Sequence, residues 1–170
     1  DQDGILDKDG EPLSIHAITY SYNTECLQLA DMMQAELADI GIDMQIETFD
    51  VLDDSLTNGA FDMAILNYAM APTGSAQYMI SMMFETNGSN NYGHYSNATV
   101  DELSEKLKAT FDEKERTDIT KQVCAELLKD RAFDFVADQQ LIFVYSNKVK
   151  GVQINPTEYY LVTNTLSVEE

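Results

Sequence analysis

The side chains able to do chemistry are few. The 170-residue chain has two histidines, His16 and His94, and two cysteines, Cys26 and Cys124. A Ser-His or Cys-His nucleophilic pair would need one of these histidines as its base. His16 falls inside the alternating stretch LSIHAITY (13–20) and reads as a structural strand residue. There is no G-x-S-x-G elbow, no C-x-x-C, no Walker A loop and no G-x-G-x-x-G. D-x-D-G occurs twice in the opening ten residues, but Gly4 comes too early for a calcium loop and no Glu stands at the closing position, so a polar turn is expected. His94 lies on a polar loop between Gly93 and Tyr95 and is the one candidate metal ligand. No second His, Cys or carboxylate accompanies it at ligand spacing. Catalysis is therefore not expected, and neither is a resident cofactor.

The chain offers recognition instead. Phe61 to Ala69 (FDMAILNYA) is nearly continuous in apolar residues and suits a strand buried on both faces of a sheet. An irregular segment, Met70 to Ser75 (MAPTGS), follows directly, and a Gly- and Asn-rich loop runs from Thr86 to Asn97. In open α/β sheets, ligands bind beyond the carboxyl ends of the strands. Tyr68, Met70, Thr73, Gln77, Asn90, Asn91 and Tyr92 are accordingly the candidate ligand-binding residues. Amides, hydroxyls and aromatic rings recognise polar solutes without catalytic potential. Met70, Met79, Met82 and Met83 cluster in the same region; helix core is the plain reading, and a soft-metal site or an adaptable apolar pocket wall are the functional ones.

The elements that must position these residues follow from periodicity. Leu13 to Tyr20 alternates as a strand. Asn23 or Thr24 caps a helix whose apolar stripe is Cys26, Leu29, Ala30, Met33, Leu37 and Ile40, stopped by Gly41. Ile42 to Phe49 is a second strand, completing a right-handed βαβ unit. A short helix is expected over 51–56, ending at Asn58-Gly59, and another from a Ser75 cap through Phe84. Thr99 with Glu102 forms a capping box for a helix with the stripe Val100, Leu103, Leu107 and Phe111. Asp112 with Glu115 repeats the device before Ile119, Val123 and Leu127. Phe133 to Tyr145 suggests one or two strands, and 149–152 and 159–162 short extended pieces. Cys26 and Cys124 both fall in helical apolar patterns and are expected as buried free thiols. The fold class is α/β, a mixed β-sheet flanked by helices around a βαβ core, forming one domain over 1–170.

Charge removes further classes. Ten Lys and Arg against 30 Asp and Glu leave a net charge of −20, which repels nucleic-acid phosphates. No apolar run approaches the ~20 residues of a membrane span. At 44% apolar residues the chain has material for a core. The first residue is not Met and no basic or apolar leader is visible, so a piece of a longer protein is expected.

Six segments in order carry a resemblance: Asp7-Lys8-Asp9-Gly10-Glu11-Pro12-Leu13, Leu37-Ala38-Asp39-Ile40-Gly41-Ile42, Asn58-Gly59-Ala60-Phe61-Asp62-Met63, Tyr95-Ser96-Asn97 through Asp101-Glu102-Leu103, Asp112 with Arg116, and Val149-Lys150-Gly151-Val152 with Pro156. Together they resemble the C-terminal lobe of bacterial extracellular solute-binding proteins of family 5, the oligopeptide-, dipeptide- and nickel-binding proteins of ABC importers. The resemblance implies a periplasmic-binding-protein-like lobe that closes with an N-terminal lobe of the same protein over a small solute. It implies a short peptide or a nickel chelate as that solute, an ABC permease as membrane partner, and no catalysis. It also implies a place in the periplasm or on the outer face of the membrane, with any signal peptide or lipid anchor in the preceding region. Peptide-binding relatives use an Asp in the loop after the strand matching 61–69. Residues 67–75 here contain no acid, and Ala71-Pro72-Thr73-Gly74 is more similar to nickel-type sequences, in some of which a His of this lobe contacts metal. His94 is the loop residue available for that role. Two other readings stand beside this one. A hydrolase or transferase domain would depend on a loop carboxylate such as Asp101, and a protein-interaction domain would expose an apolar patch.

Overall fold

In the computed structural model, which describes residues 4–138, 142–154 and 162–169, the chain divides at Tyr68–Ala69 into two compact units. The one domain expected over 1–170 thus contains two separate cores.

The first unit opens on a hairpin of β1 (Asp7–Lys8) and β2 (Glu11–Pro12). Its two-residue turn, Asp9-Gly10, has positive φ at both positions (58° and 83°), the twist that suits antiparallel strands. β3 (Ser14–Tyr20), α1 (Thr24–Asp39) and β4 (Asp43–Phe49) form the expected βαβ unit. Asn23 caps α1 by accepting from Cys26 N at 2.9 Å. At the far end Gly41, at φ 81°, lets Ile42 N reach back to Leu37 O at 2.9 Å. α1 lays Cys26 and Ala30 on Ala17, Met44 and Ile65 of the sheet, with Leu29, Met33 and Leu37 at the margin. α2 covers Asp53–Asn58, two residues later than expected, and Gly59 ends it at φ 65°.

The sheet runs β4-β3-β5 with all strands parallel, and antiparallel pairing occurs only in separate two-stranded ribbons among the described residues. β5 is short, Met63–Ile65, and pairs with β3 alone. The strand buried on both faces is therefore β3, where Ala17, Ile18 and Thr19 are consecutive buried residues, and not 61–69. An apolar run cannot by itself distinguish a central strand from an edge strand followed by irregular chain.

The second unit is mainly helical. α3 (Gln77–Met79) continues into a π-helical turn, Ile80–Phe84, closed by Glu85 N donating to Ile80 O at 3.1 Å. α4 spans Ala98–Ala109 and α5 spans Glu113–Asp130. The core joins Ile80 and Phe84 to Val100, Leu107, Ile119, Val123 and Leu127. Truncating a buried leucine here to Ala should cost about 2–5 kcal/mol. Asp112 caps α5 as expected, accepting from Glu115 N at 2.8 Å.

Several expectations are corrected in this unit. Asn97, not Thr99, caps α4, because its Oδ1 accepts from Thr99 N at 2.8 Å and from Val100 N at 3.3 Å. Phe111 is 90% exposed, since the chain leaves helical geometry at Thr110 before the stripe reaches it. Cys124 is exposed on α5, although both thiols are free and Cys26 is buried. No strand forms among the described residues of 133–145; Phe133 instead stacks edge-on against Phe84 (4.8 Å) and Tyr95 (5.7 Å). β6 (Val149–Lys150) pairs with β7 (Ser167–Val168). Of the piece expected at 159–162, residues 159–161 lie outside the described residues.

Candidate functional site

Within the second unit, the two loops singled out by sequence flank one short helix. The first holds a turn closed by Gly74 N donating to Ala71 O at 2.9 Å, with Pro72 and Thr73 at its centre and Gly74 at φ 75°. Ser75 follows, and its Oγ accepts from Gln77 N at 3.3 Å at the start of α3. Met70 and Thr73 are exposed and Gln77 is half-buried. Met79 is buried while Met82 and Met83 are half-buried, so the methionine cluster is mainly helix core, with Met70 outside it.

The second loop is held from inside. Gly88 N donates to Glu85 O at 2.9 Å and Asn90 N to Met82 O at 2.9 Å. Asn91 is buried, and its amide acts as an internal strut. Its Nδ2 donates to Tyr95 O at 2.7 Å and reaches Glu85 O at 3.1 Å and Thr86 O at 3.3 Å. Its Oδ1 accepts from Tyr95 N at 2.9 Å. An amide so occupied has little left for a solute. Asn90, Tyr92 and His94 remain on the loop as contact candidates, with Asn90 and Tyr92 half-buried and His94 exposed. His94 adopts φ 53°, a left-handed conformation in which His is more tolerated than most side chains.

The loop ends are tied to the helices. Thr86 donates twice to Asp101, from its N at 2.8 Å and from its Oγ1 at 2.6 Å. Asp130, at the end of α5, accepts from Tyr95 OH at 2.7 Å and Asn97 Nδ2 at 2.6 Å, which holds its carboxyl below the usual range. Burial, reinforced by the Asp130 hydrogen bond, pushes the Tyr95 phenol up to about 12. Glu85 accepts from Ser104 Oγ at 2.5 Å and pairs with Lys108 Nζ at 2.7 Å. Its burial opposes ionisation, but these bonds outweigh it and hold the carboxyl below its ordinary value.

In the first unit, Tyr68 is half-buried at the end of the chain segment that leaves β5. Tyr20, at the carboxyl end of β3, packs against Tyr22 with ring centroids 5.4 Å apart and the rings tilted by 43°. Burial, with the proximity of Tyr68, Tyr22 and Asp53, pushes the Tyr20 phenol up to about 12. His16 is structural, its Nε2 lying 3.0 Å from Glu47 Oε2 and its backbone N donating to Asp62 at 2.8 Å. A hollow of about 520 Å³ lies at the opposite, amino-terminal end of β4, lined by Asp31, Gln34, Gly41 and Asp43 among others. None of the sequence-predicted residues lines it. Among the described residues, no three His, Cys, Asp or Glu side chains gather as a metal site.

Residues 1–91, more than half the chain, match the family profile "Bacterial extracellular solute-binding proteins, family 5 Middle". The chain belongs to this family. As a family 5 chain it is 28% identical to the nickel-binding protein NikA of Staphylococcus aureus, across 97% of this chain and 35% of that protein. It is 27% identical to the oligopeptide-binding protein AppA of Bacillus subtilis, across 91% of this chain and 29% of that protein. The crystal structure of the S. aureus NikA in complex with Ni(L-His)2 superposes with a TM-score of 0.77 at 25% identity, covering 94% of this chain and 34% of that one. The chain thus spans about a third of the length of the relatives it matches. The α/β fold class is that of the family 5 binding proteins. Among the described residues of this family 5 chain, no helix is long and apolar enough to cross a membrane.

Proposed function

We propose that this chain is the C-terminal lobe of the substrate-binding component of an ABC importer. That component captures a short peptide or a nickel chelate outside the cytoplasm and delivers it to a membrane permease, without catalysis. The observation that carries the reading is similarity along 97% of the chain to a nickel-binding protein of the same family. Polar loops held in place by internal hydrogen bonds support it. The candidate contacts are Tyr68 in the first unit and Met70, Thr73, Gln77, Asn90, Tyr92 and His94 in the second, with Asn91 as a strut.

Two observations bear on the solute. Residues 67–75 carry no acid to meet a peptide amino group, which favours nickel. As a chelate that brings its own ligands, nickel needs few from the protein, and His94 is the candidate for one. Exposed apolar side chains at Ile142, Val144, Tyr145 and Ile154 suit packing against the N-terminal lobe of the longer protein.

Native mass spectrometry of the full-length parent, purified without added ligand, tests the reading. A bound metal–chelate mass that disappears in His94→Ala makes the solute nickel. A spread of short-peptide masses makes it a peptide and removes His94 from the site. A protein that carries neither, and binds neither on addition, defeats the proposal.

A further inference from the structure

Arg116 stands in the first turns of α5 and reaches three acceptors. Its Nη1 donates to Leu107 O at 2.9 Å and to Thr110 O at 2.6 Å, and its Nη2 donates to Ser75 Oγ at 2.8 Å. Leu107 and Thr110 close the carboxyl end of α4, where the helix dipole attracts a cation. Ser75 lies 41 residues earlier in the chain and ends the loop that carries Met70 and Thr73. The same Ser75 oxygen accepts from Gln77 N, so one hydroxyl joins the guanidinium to the start of α3.

The choice of partners is informative. The chain has 10 basic and 30 acidic residues, yet among the described residues no carboxylate lies within ion-pair distance of the Arg116 guanidinium. A guanidinium that meets only neutral oxygens in so acidic a protein is placed for geometry. Its planar fork spans two carbonyls and a hydroxyl together, which a single ammonium cannot do.

We infer that Arg116, acting through Ser75, is the positioning residue for the ligand loop 70–77. Resting on the solute-binding reading above, it sets affinity without touching the solute. The loop has no regular structure of its own before Gln77, and the Arg116–Ser75 bond joins the Ala71–Gly74 turn and the packing of Ala76 on the core in fixing its conformation. An unanchored loop would populate many conformations, and the solute would have to select among them.

The test uses the full-length protein and the variants Arg116→Lys, Ser75→Ala, the double variant and Ser75→Thr, each checked for intact helical circular dichroism. Hydrogen exchange at the Gly74 and Gln77 amides should quicken at least about tenfold in Arg116→Lys and in Ser75→Ala. The double variant should be no faster than either single one, and Ser75→Thr, which keeps the hydroxyl, should behave as wild type. Unchanged exchange in Arg116→Lys, or additive effects in the double variant, would overturn the anchoring. Affinity is then read with nickel(II) plus L-histidine and with a nonapeptide as probes. The probe that wild type binds should bind about tenfold more weakly to both single variants, again without additivity. Faster exchange with unchanged affinity would leave the anchor intact and overturn the loop's role in solute binding, whereas wild type that binds neither probe would defeat the solute-binding reading on which that role rests.

Discussion

Asp101 accepts both hydrogen-bond donors of Thr86, the backbone N at 2.8 Å and the hydroxyl at 2.6 Å. The pair fastens the start of the 86–97 loop to the first turn of α4, where a carboxylate is also favoured by the helix dipole. A carboxylate occupied in this way is structural. Asp101→Ala should lower stability by about 1–3 kcal/mol, since it orphans a half-buried N–H. Equilibrium urea denaturation measures this, and Asp101→Asn, which keeps one acceptor, should fall between Ala and wild type. A hydrolase or transferase reading would instead predict a lost activity with stability unchanged.

Gly88 sits where any Cβ would lie 2.3 Å from Met82 O and 2.8 Å from Met82 C. Both are backbone atoms of the π-helical turn and cannot swing aside. Gly88→Ala should therefore displace the loop from the helix, breaking the Asn90 N to Met82 O bond, at a cost of about 1–3 kcal/mol. Thermal unfolding gives the cost. Exchange at the Asn90 amide separates loop displacement from global loss. Gly93, which has open space around its Cβ position, is the control: Gly93→Ala should cost far less.

Glu85 gives the protein part of its acid sensitivity. Its folded carboxyl is held below the ordinary 4.5, so its bonds to Ser104 and Lys108 stabilise the fold fully above pH 4.5. That contribution is lost as pH falls through the depressed value. Glu85→Gln should be less stable than wild type at neutral pH, and the difference should shrink as pH drops below 4.5. Denaturation series at stepped pH values would show a constant difference if the carboxylate played no such part.

Two phenols should titrate late. The chain has nine tyrosines and no tryptophan, so ultraviolet absorbance reports phenolate formation without interference. Tyr20 and Tyr95 are pushed up to about 12 while the ordinary value is 10. For groups raised in the fold, the associated stability is complete below pH 10 and falls as pH rises toward 12. Tyr95→Phe should remove one late-titrating phenol and leave Asp130 without its phenol donor, costing about 1 kcal/mol. Loss of a phenol of ordinary pKa in that variant would contradict the Tyr95–Asp130 contact.

Local signals determined much of this protein. The Asn23 cap, the 3- and 4-residue spacing from Cys26 to Leu37 and the Gly41 stop each act within a few residues, and α1 forms where they place it. The Asp9-Gly10 turn and the Asp112 cap are local in the same sense. The ordered motifs from Asp7 to Val152 likewise carried the family. What required tertiary structure was decided by groups far apart in sequence. Whether β3 or 61–69 is central depends on which strand pairs on both edges, which no apolar count reveals. Asn91 looks like a ligand contact in a polar loop until the folded chain brings Glu85, Thr86 and Tyr95 around its amide. Cys124 matches an apolar stripe, yet it is exposed on α5, whose buried residues are Ile119, Val123 and Leu127. Arg116 and Ser75 are separated by 41 residues, and their bond exists only because the end of α4 holds the guanidinium between them. Capping and periodicity act through neighbouring dihedrals and are written in short windows. Burial and hydrogen-bond satisfaction are properties of the assembled chain.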